Sequence, residues 1–292
     1  MKIGAFSTFT PEYTFAESCV LIKSLGYAGI QPRICEAKHA GFDPAKPFNP
    51  WSNGKGAITE DAFFADPKGV LKPAFDAGLE ITSVASYTGT ADMDRAVKMV
   101  KACSKAGIKN VRVGGLPMPS DRVFDAKAFI DKSRGTYKEL VAEAKKAKVR
   151  PCLELHPGNV YPGASGAINF LQPFDPADVG ILYDPANAVG DGWETFPVAL
   201  NVMGPYLAEV HVKNTRWVPP PAGETTPQGT RKWKSEGADL EDGIVDWAEL
   251  IGWLKDHKFK GWLVEEGHTA NRTSYVRLKL AHELLSKLIA GK

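Results

Sequence analysis

Paired cysteines, long apolar runs and a surplus of one charge are all missing from this sequence. Cys19, Cys35, Cys103 and Cys152 are widely spaced and form no C-x-x-C pair. That removes zinc-ribbon and dithiol-redox readings and leaves reduced thiols buried in a cytosolic protein as the expectation. No stretch approaches the roughly 18 apolar residues that span a bilayer. Met1 to Thr10 lacks the apolar h-region of a secretory signal, so a cytoplasmic chain without a membrane partner is expected. The 36 basic and 34 acidic side chains leave a formal charge of +2. So even a balance gives no reason to expect nucleic acid or an anionic membrane as partner. A Gly-rich dinucleotide fingerprint is absent too: Phe6-Ser7-Thr8-Phe9 follows the first apolar run.

What is present is a rhythm. Short apolar runs alternate with amphipathic stretches along 292 residues, of which 43% are hydrophobic. The pattern predicts strands at Lys2 to Phe6, Tyr27 to Gln31, Leu79 to Ala85, Asn110 to Val113, Arg150 to Leu155, Gly180 to Tyr183, Ala208 to Val212 and Trp262 to Glu266. It predicts helices at Thr14 to Leu25, Pro67 to Ala77, Asp92 to Ala106, Ala126 to Lys148, Ala164 to Phe170, Trp193 to Met203, Asp246 to His257 and Thr273 to Ile289. Thr14 with Glu17, and Asp246 with Glu249, read as capping boxes. Eight strand–helix units close into an α/β (β/α)8 TIM barrel rather than an open sheet, and barrels of this length are ordinary single domains. One domain over residues 1–292 is therefore expected. Two connections, residues 32–65 and 214–243, are too long for plain loops. Their Phe42, Phe48, Trp51, Trp217 and Trp233 suggest packed lids over the C-terminal face, where barrel active sites lie.

A barrel brings its strand ends around one mouth. In order, those ends carry Glu154 and His156, Asp184 and Asn187, His211 and Lys213, and Glu265-Glu266. Several carboxylates and an imidazole in one mouth repel one another unless a cation joins them. A divalent ion resolves the repulsion. Each residue alone is more ordinary: a salt-bridged carboxylate or a satisfied core histidine. Four such residues at the ends of four successive strands point together to a metal site.

Several segments carry a family resemblance: Gly26-Tyr27-Ala28-Gly29-Ile30, Leu153-Glu154-Leu155-His156-Pro157-Gly158, Leu182-Tyr183-Asp184-Pro185-Ala186-Asn187, Val210-His211-Val212-Lys213, Gly243-Ile244-Val245-Asp246-Trp247 and Gly261-Trp262-Leu263-Val264-Glu265-Glu266. In this order they resemble the xylose isomerase-like TIM-barrel superfamily, in its branch of sugar phosphate isomerases and epimerases. The resemblance covers essentially the whole chain. It implies metal ligands at Glu154, Asp184, His211 and Glu266. Glu266 is preferred to Glu265 because the family glutamate stands five positions after the glycine of this strand, here Gly261. Alternation agrees if Trp262, Val264 and Glu266 share a face.

Three oxygens and one nitrogen make a fairly hard site, suited to Mn2+ first, with Mg2+, Co2+ or Zn2+ admitted. The resemblance further implies an enediolate mechanism in which Glu154 and Glu266 move a proton beside a carbonyl. A small sugar or keto-sugar is the implied substrate. His156, Asn187, Lys213 and Arg216 are candidates to hold its oxygens. For Lys213 and Arg216, an ordinary rim ion pair is the competing reading. Two departures bear on the reaction. Asn187 stands where ketose epimerases of the family often carry histidine, and Gly158-Asn159-Val160 replaces their second glutamate. The long segment before the last strand is more like inosose dehydratases, so a keto-sugar lyase using the same site is the alternative. A DNA-repair endonuclease of the superfamily would need a histidine-rich three-zinc cluster and a basic groove. Only six histidines are present. The oligomeric state stays open, a homo-oligomer included.

Overall fold

The computed structural model describes residues 1–113, 115–121, 123–191, 194–267 and 272–291. Its strands are β1 Lys2–Phe6, β2 Gly29–Gln31, β3 Arg33–Cys35, β4 Ile58–Thr59, β5 Glu80–Ile81, β6 Val84–Ser86, β7 Asn110–Arg112, β8 Arg150–Glu154, β9 Gly180–Tyr183, β10 Leu207–Val212, β11 Asn214–Val218, β12 Lys234–Ala238 and β13 Trp262–Glu265. Eleven of them form one sheet in the order β4-β3-β6-β7-β8-β9-β10-β13-β1-β2-β5. Its neighbouring strands are parallel.

The second and third predicted strands are each broken. Pro32, which has no amide to donate, separates β2 from β3, and Thr82-Ser83 separate β5 from β6. Ile30 pairs with Ile81 below the breaks, and Arg33 with Ala85 above them. The sheet therefore closes on itself through both halves, giving the TIM barrel.

Alternation along each strand sorts the side chains into two cores. Leu153, Ile181, Tyr183, Val210, Val212 and Leu263 point outward and join the helices in one apolar cluster. Phe6, Ala85 and Val264 form a small inner cluster with Phe9, and Cys152, Leu182 and Ala208 form another. A Cβ on Gly29 would come within 2.8 Å of both Thr82 and Trp262, so only glycine fits that position. All four cysteines are buried and free.

The helices are α1 Phe15–Ser24, α2 Glu60–Ala65, α3 Pro67–Asp76, α4 Met93–Ala106, α5 Ala126–Ala147, α6 Ala164–Leu171, α7 Pro185–Asp191, α8 Phe196–Met203, α9 Trp247–Asp256 and α10 Ser274–Ala290. Side chains of Thr14, Asp92, Asp125, Asp246 and Thr273 accept first-turn amides and start α1, α4, α5, α9 and α10. Thr14 and Glu17 form the full reciprocal box. Asp246 caps α9 alone, because the Glu249 carboxylate accepts from Trp253 Nε1 instead. Trp193, the expected start of α8, lies outside the described residues.

The two long connections are structured. Residues 32–65 hold β3, β4 and α2, and within them Trp51 packs edge-on against Phe9 at 5.4 Å. Residues 214–243 hold the antiparallel hairpin β11–β12. Among the described residues no helix is long and apolar enough to cross a membrane.

Candidate metal centre

The same alternation decides which polar groups enter the barrel. On β8, Glu154 follows Cys152 inward. On β10, Glu209 and His211 alternate with the outward Val210 and Val212, and Lys213 follows on their side. Past the end of β13, Glu266 continues the face of Val264, and its amide still pairs with Val212 O at 2.9 Å. Asp184 sits where β9 meets α7 and accepts the Asn187 amide at 3.1 Å. As a result Glu154, Asp184, His211 and Glu266, all buried, each offer one ligand atom within 4.8 Å of the others.

Glu265 points the other way. Its Oε1 accepts the Gly267 amide at 3.1 Å and lies 3.5 Å from Arg277 Nε on α10. Burial raises its carboxyl to about 7.

The charges explain how the cluster holds together. His211 Nδ1 lies 3.2 Å from Glu154 Oε1 and 3.2 Å from Glu266 Oε2. Burial opposes a charge on the imidazole, but Glu266 and Glu154 outweigh it and push its pKa well above the ordinary value. Lys213 Nζ lies 2.6 Å from Asp184 Oδ2 and 2.7 Å from Glu266 Oε1. Arg112 Nη1 lies 2.7 Å from Glu154 Oε2. Burial pushes the Glu154 carboxyl up, yet Arg112 and then His211 bring it down to about 2. Lys213 and His211 likewise hold Glu266 well below the usual carboxylate range against burial. For Asp184 burial wins over Lys213, and its pKa rises to about 7.

This donor set fits a divalent ion. Glu154 Oε2 and Asp184 Oδ2 are buried and, despite the nearby cations, accept no well-directed hydrogen bond. Each keeps a lone pair for another partner. The protonated imidazole, ammonium and guanidinium supply here the positive charge that a cation would supply.

The other candidate substrate residues fare differently. Lys213 is in the centre. Asn187 donates its amide to Leu155 O at 3.1 Å and braces β8 against α7. His156 does not continue the inward face, because β8 ends at Glu154. It is exposed and donates from Nδ1 to Pro157 O at 2.8 Å. Arg216 lies on β11, 46% exposed, paired with Glu236 at 3.0 Å and Asp242 at 3.1 Å. The rim ion pair is thus the arrangement the structure displays for Arg216.

Sequence reasoning missed a layer beneath the centre. Glu209 Oε1 lies 3.3 Å from His211 Nε2 and accepts from Gln31 Nε2 at 2.6 Å and Ser83 Oγ at 3.0 Å. All four residues are fully buried. It missed Arg112 as well. Glu209 was visible as an acid two residues before His211 in an otherwise apolar strand. Arg112 and Gln31 gave no such cue.

Comparison with known proteins agrees with the fold. Residues 20–286 match the sequence model of a family described as xylose isomerase-like TIM barrel. No curated protein matches the chain. D-psicose 3-epimerase from Clostridium cellulolyticum H10, solved with D-tagatose, superposes with a TM-score of 0.68 at 14% identity, over 99% of each chain. The 3-keto-D-glucoside 4-epimerase of E. coli gives 0.68 at 15% identity, over 98% of this chain and 99% of that one. The IolI protein with a bound zinc atom gives 0.69 at 15% identity, over 100% of this chain and 99% of that one. At such identities the likeness is one of fold.

Proposed function

Since the chain belongs to the xylose isomerase-like TIM-barrel family, we propose that it is a divalent-metal-dependent sugar isomerase or epimerase that moves a proton on the carbon beside a carbonyl. The convergence of Glu154, Asp184, His211 and Glu266 carries this reading. Two of the similar barrels are sugar epimerases, which supports a small sugar or keto-sugar as substrate. The donor set suits Mn2+ first; Mg2+, Co2+ and Zn2+ fit the same ligands.

When bound there, a divalent ion supplies Lewis-acid polarisation of a substrate carbonyl, which acidifies the neighbouring C–H. The chain's own residues do the rest. Glu154 and Glu266 are held in the carboxylate form by Arg112, Lys213 and His211. They come from the first and last of the four contributing strands, and each lies 3.2 Å from His211 Nδ1. One takes the proton and the other returns it, with roles set by the direction of reaction. Lys213 donates a hydrogen bond to a substrate oxygen.

A keto-sugar lyase is the second reading, and Lys213 favours it. After the same proton abstraction, the C–H electrons form a C–C double bond, the β C–O bond breaks, and an ammonium beside the carboxylates protonates the departing oxygen.

Incubating the Mn2+-loaded protein with keto-sugars in D2O tests both. Deuterium incorporation beside the carbonyl without loss of water identifies the isomerase or epimerase. A dehydrated or deglycosylated product identifies the lyase. A protein that binds Mn2+ and exchanges no proton refutes both.

A further inference from the structure

One side chain lies against the same oxygens that the four ligands offer to an ion. Lys213 Nζ is 2.6 Å from Asp184 Oδ2 and 2.7 Å from Glu266 Oε1. The contact with Asp184 decides the matter. Asp184 Oδ1 already accepts the Asn187 amide at 3.1 Å where α7 begins. Oδ2 is therefore the oxygen Asp184 has left for a metal, and it is the oxygen Lys213 covers. The two meet as opposite charges, since Oδ2 accepts no well-directed hydrogen bond. Burial opposes the charge on Lys213, but Asp184 and Glu266 outweigh it and raise the pKa of the amine.

The architecture does not need the ammonium in that place. Val210 pairs with Tyr183 on β9 and Val212 with Glu265 on β13, so backbone ladders already join the three strands. Nor is the side chain anchored as its neighbours are. The Lys213 carbonyl accepts from Trp247 Nε1 at 3.2 Å, and Asn214 Nδ2 donates to Leu240 O at 2.9 Å and Val245 O at 3.0 Å, so the backbone on this side of the mouth is pinned. The ammonium itself rides on a flexible four-carbon stem with three rotatable donors, and the side chain is 14% exposed. Arg112 is paired with Glu154 and also stacked 4.8 Å from the Tyr87 ring centre. His211 is fully buried among Glu154, Glu209 and Glu266. Of these three cations, Lys213 is the one that side-chain rotation alone can carry away from the ligands.

Two cations on one buried carboxylate oxygen repel each other strongly where water cannot screen them. We propose that Lys213 is a built-in competitor of the metal: its ammonium neutralises Asp184 and Glu266 until a divalent ion takes those oxygens, and it then turns to the open mouth, where it can reach a substrate oxygen. This rests on the metal–sugar reading and adds its regulation, because the donor for substrate is withheld until the ion is in place. A lysine that merely held the ligands in position has the opposite signature: its loss weakens metal binding instead of strengthening it.

Mn2+ titration calorimetry at a mildly alkaline pH, where the ligand carboxyls are ionised, separates the two. Lys213→Met and Lys213→Gln should each bind Mn2+ about tenfold tighter than wild type, or better, whereas Lys213→Arg, which keeps the charge, should stay within about threefold. Reductive methylation of the wild-type protein, read by peptide mass spectrometry, follows the displacement without any variant and so decides the matter even where a variant fails to fold. Mg2+ should raise the labelling rate of Lys213 several-fold and leave the exposed Lys38 and Lys127 unchanged. Mn2+ affinity that is unchanged or weaker in Lys213→Met and Lys213→Gln, a gain shared by Lys213→Arg, or Lys213 labelling that Mg2+ does not alter overturns the competition alone. Failure of the wild type and all three variants to bind Mn2+ sinks the underlying reading with it.

Discussion

Glu209 is a group whose removal distinguishes a working metal centre from a mere cluster of buried charges. It lies under His211, 3.3 Å from Nε2. A hydrogen bond from Nε2 to that carboxylate leaves Nδ1, the nitrogen facing Glu154 and Glu266, free to ligate. Replacing it by glutamine keeps the shape and one acceptor oxygen but removes the charge that raises the basicity of the imidazole. Such partners of metal-bound histidines are worth about 10–100-fold in metal affinity, or roughly 1.4–2.7 kcal/mol. At an Mn2+ concentration about 100 times the wild-type Kd, binding stabilises the fold by about 2.7 kcal/mol, and a 10–100-fold weaker site retains only about 0.4–1.4 kcal/mol. The Mn2+-induced rise in Tm should therefore shrink by roughly 2–4 °C in Glu209→Gln. Glu209→Leu strands the Gln31 and Ser83 donors as well, which adds about 1–3 kcal/mol of destabilisation for each without any metal. Titration calorimetry gives the Kd and scanning calorimetry the Tm. A Glu209→Gln protein that binds Mn2+ within twofold of wild type refutes the tautomer argument.

Three further outcomes follow from the same geometry. Glu266→Gln should lose metal and activity, whereas Glu265→Gln should keep both; the reverse result in metal analysis would show that the wrong glutamate faces the mouth. Mn2+ affinity should rise at least tenfold per pH unit across neutrality, because His211 must release its proton to ligate and Asp184, raised to about 7, must shed one as well below that pH. The folded pKa of His211 is raised, so the stability it gives the metal-free protein is present below about 6.5 and lost as pH climbs through the folded value. Calorimetry in buffers of different ionisation heat should count about one to two protons released near neutrality, from His211 and Asp184, and none would contradict the assignment. Arg112→Met leaves the buried Glu154 without its main cation and should cost the metal-free protein about 3–5 kcal/mol in urea unfolding; a loss under 1 kcal/mol would show that this pair contributes little.

Strand order and helix order were legible because burial imposes a period: two along Val210, His211, Val212, and near four along the capped helices. That period also indicated which of two adjacent glutamates turns inward, since Glu266 shares the face of Trp262 and Val264. Where the chain leaves its strand, the period ends, and His156, two residues past the end of β8, is exposed rather than continuing the face of Glu154. Arg216 could be read as a substrate ligand or as half of an ion pair, and only the antiparallel pairing of β11 with β12 set it opposite Glu236.

By itself the sequence determined the barrel and the polar strand ends that ring its mouth, because these depend on local alternation and on which strand a residue ends; the resemblance to a family singled out the four side chains that meet there. Tertiary structure alone decided what stands across from them and beneath them. Arg112 on Glu154, Gln31 and Ser83 on Glu209, and Trp51 beside Tyr87 are contacts between residues tens of positions or more apart. Their energies depend on distance and burial in three dimensions, which no spacing along the chain encodes.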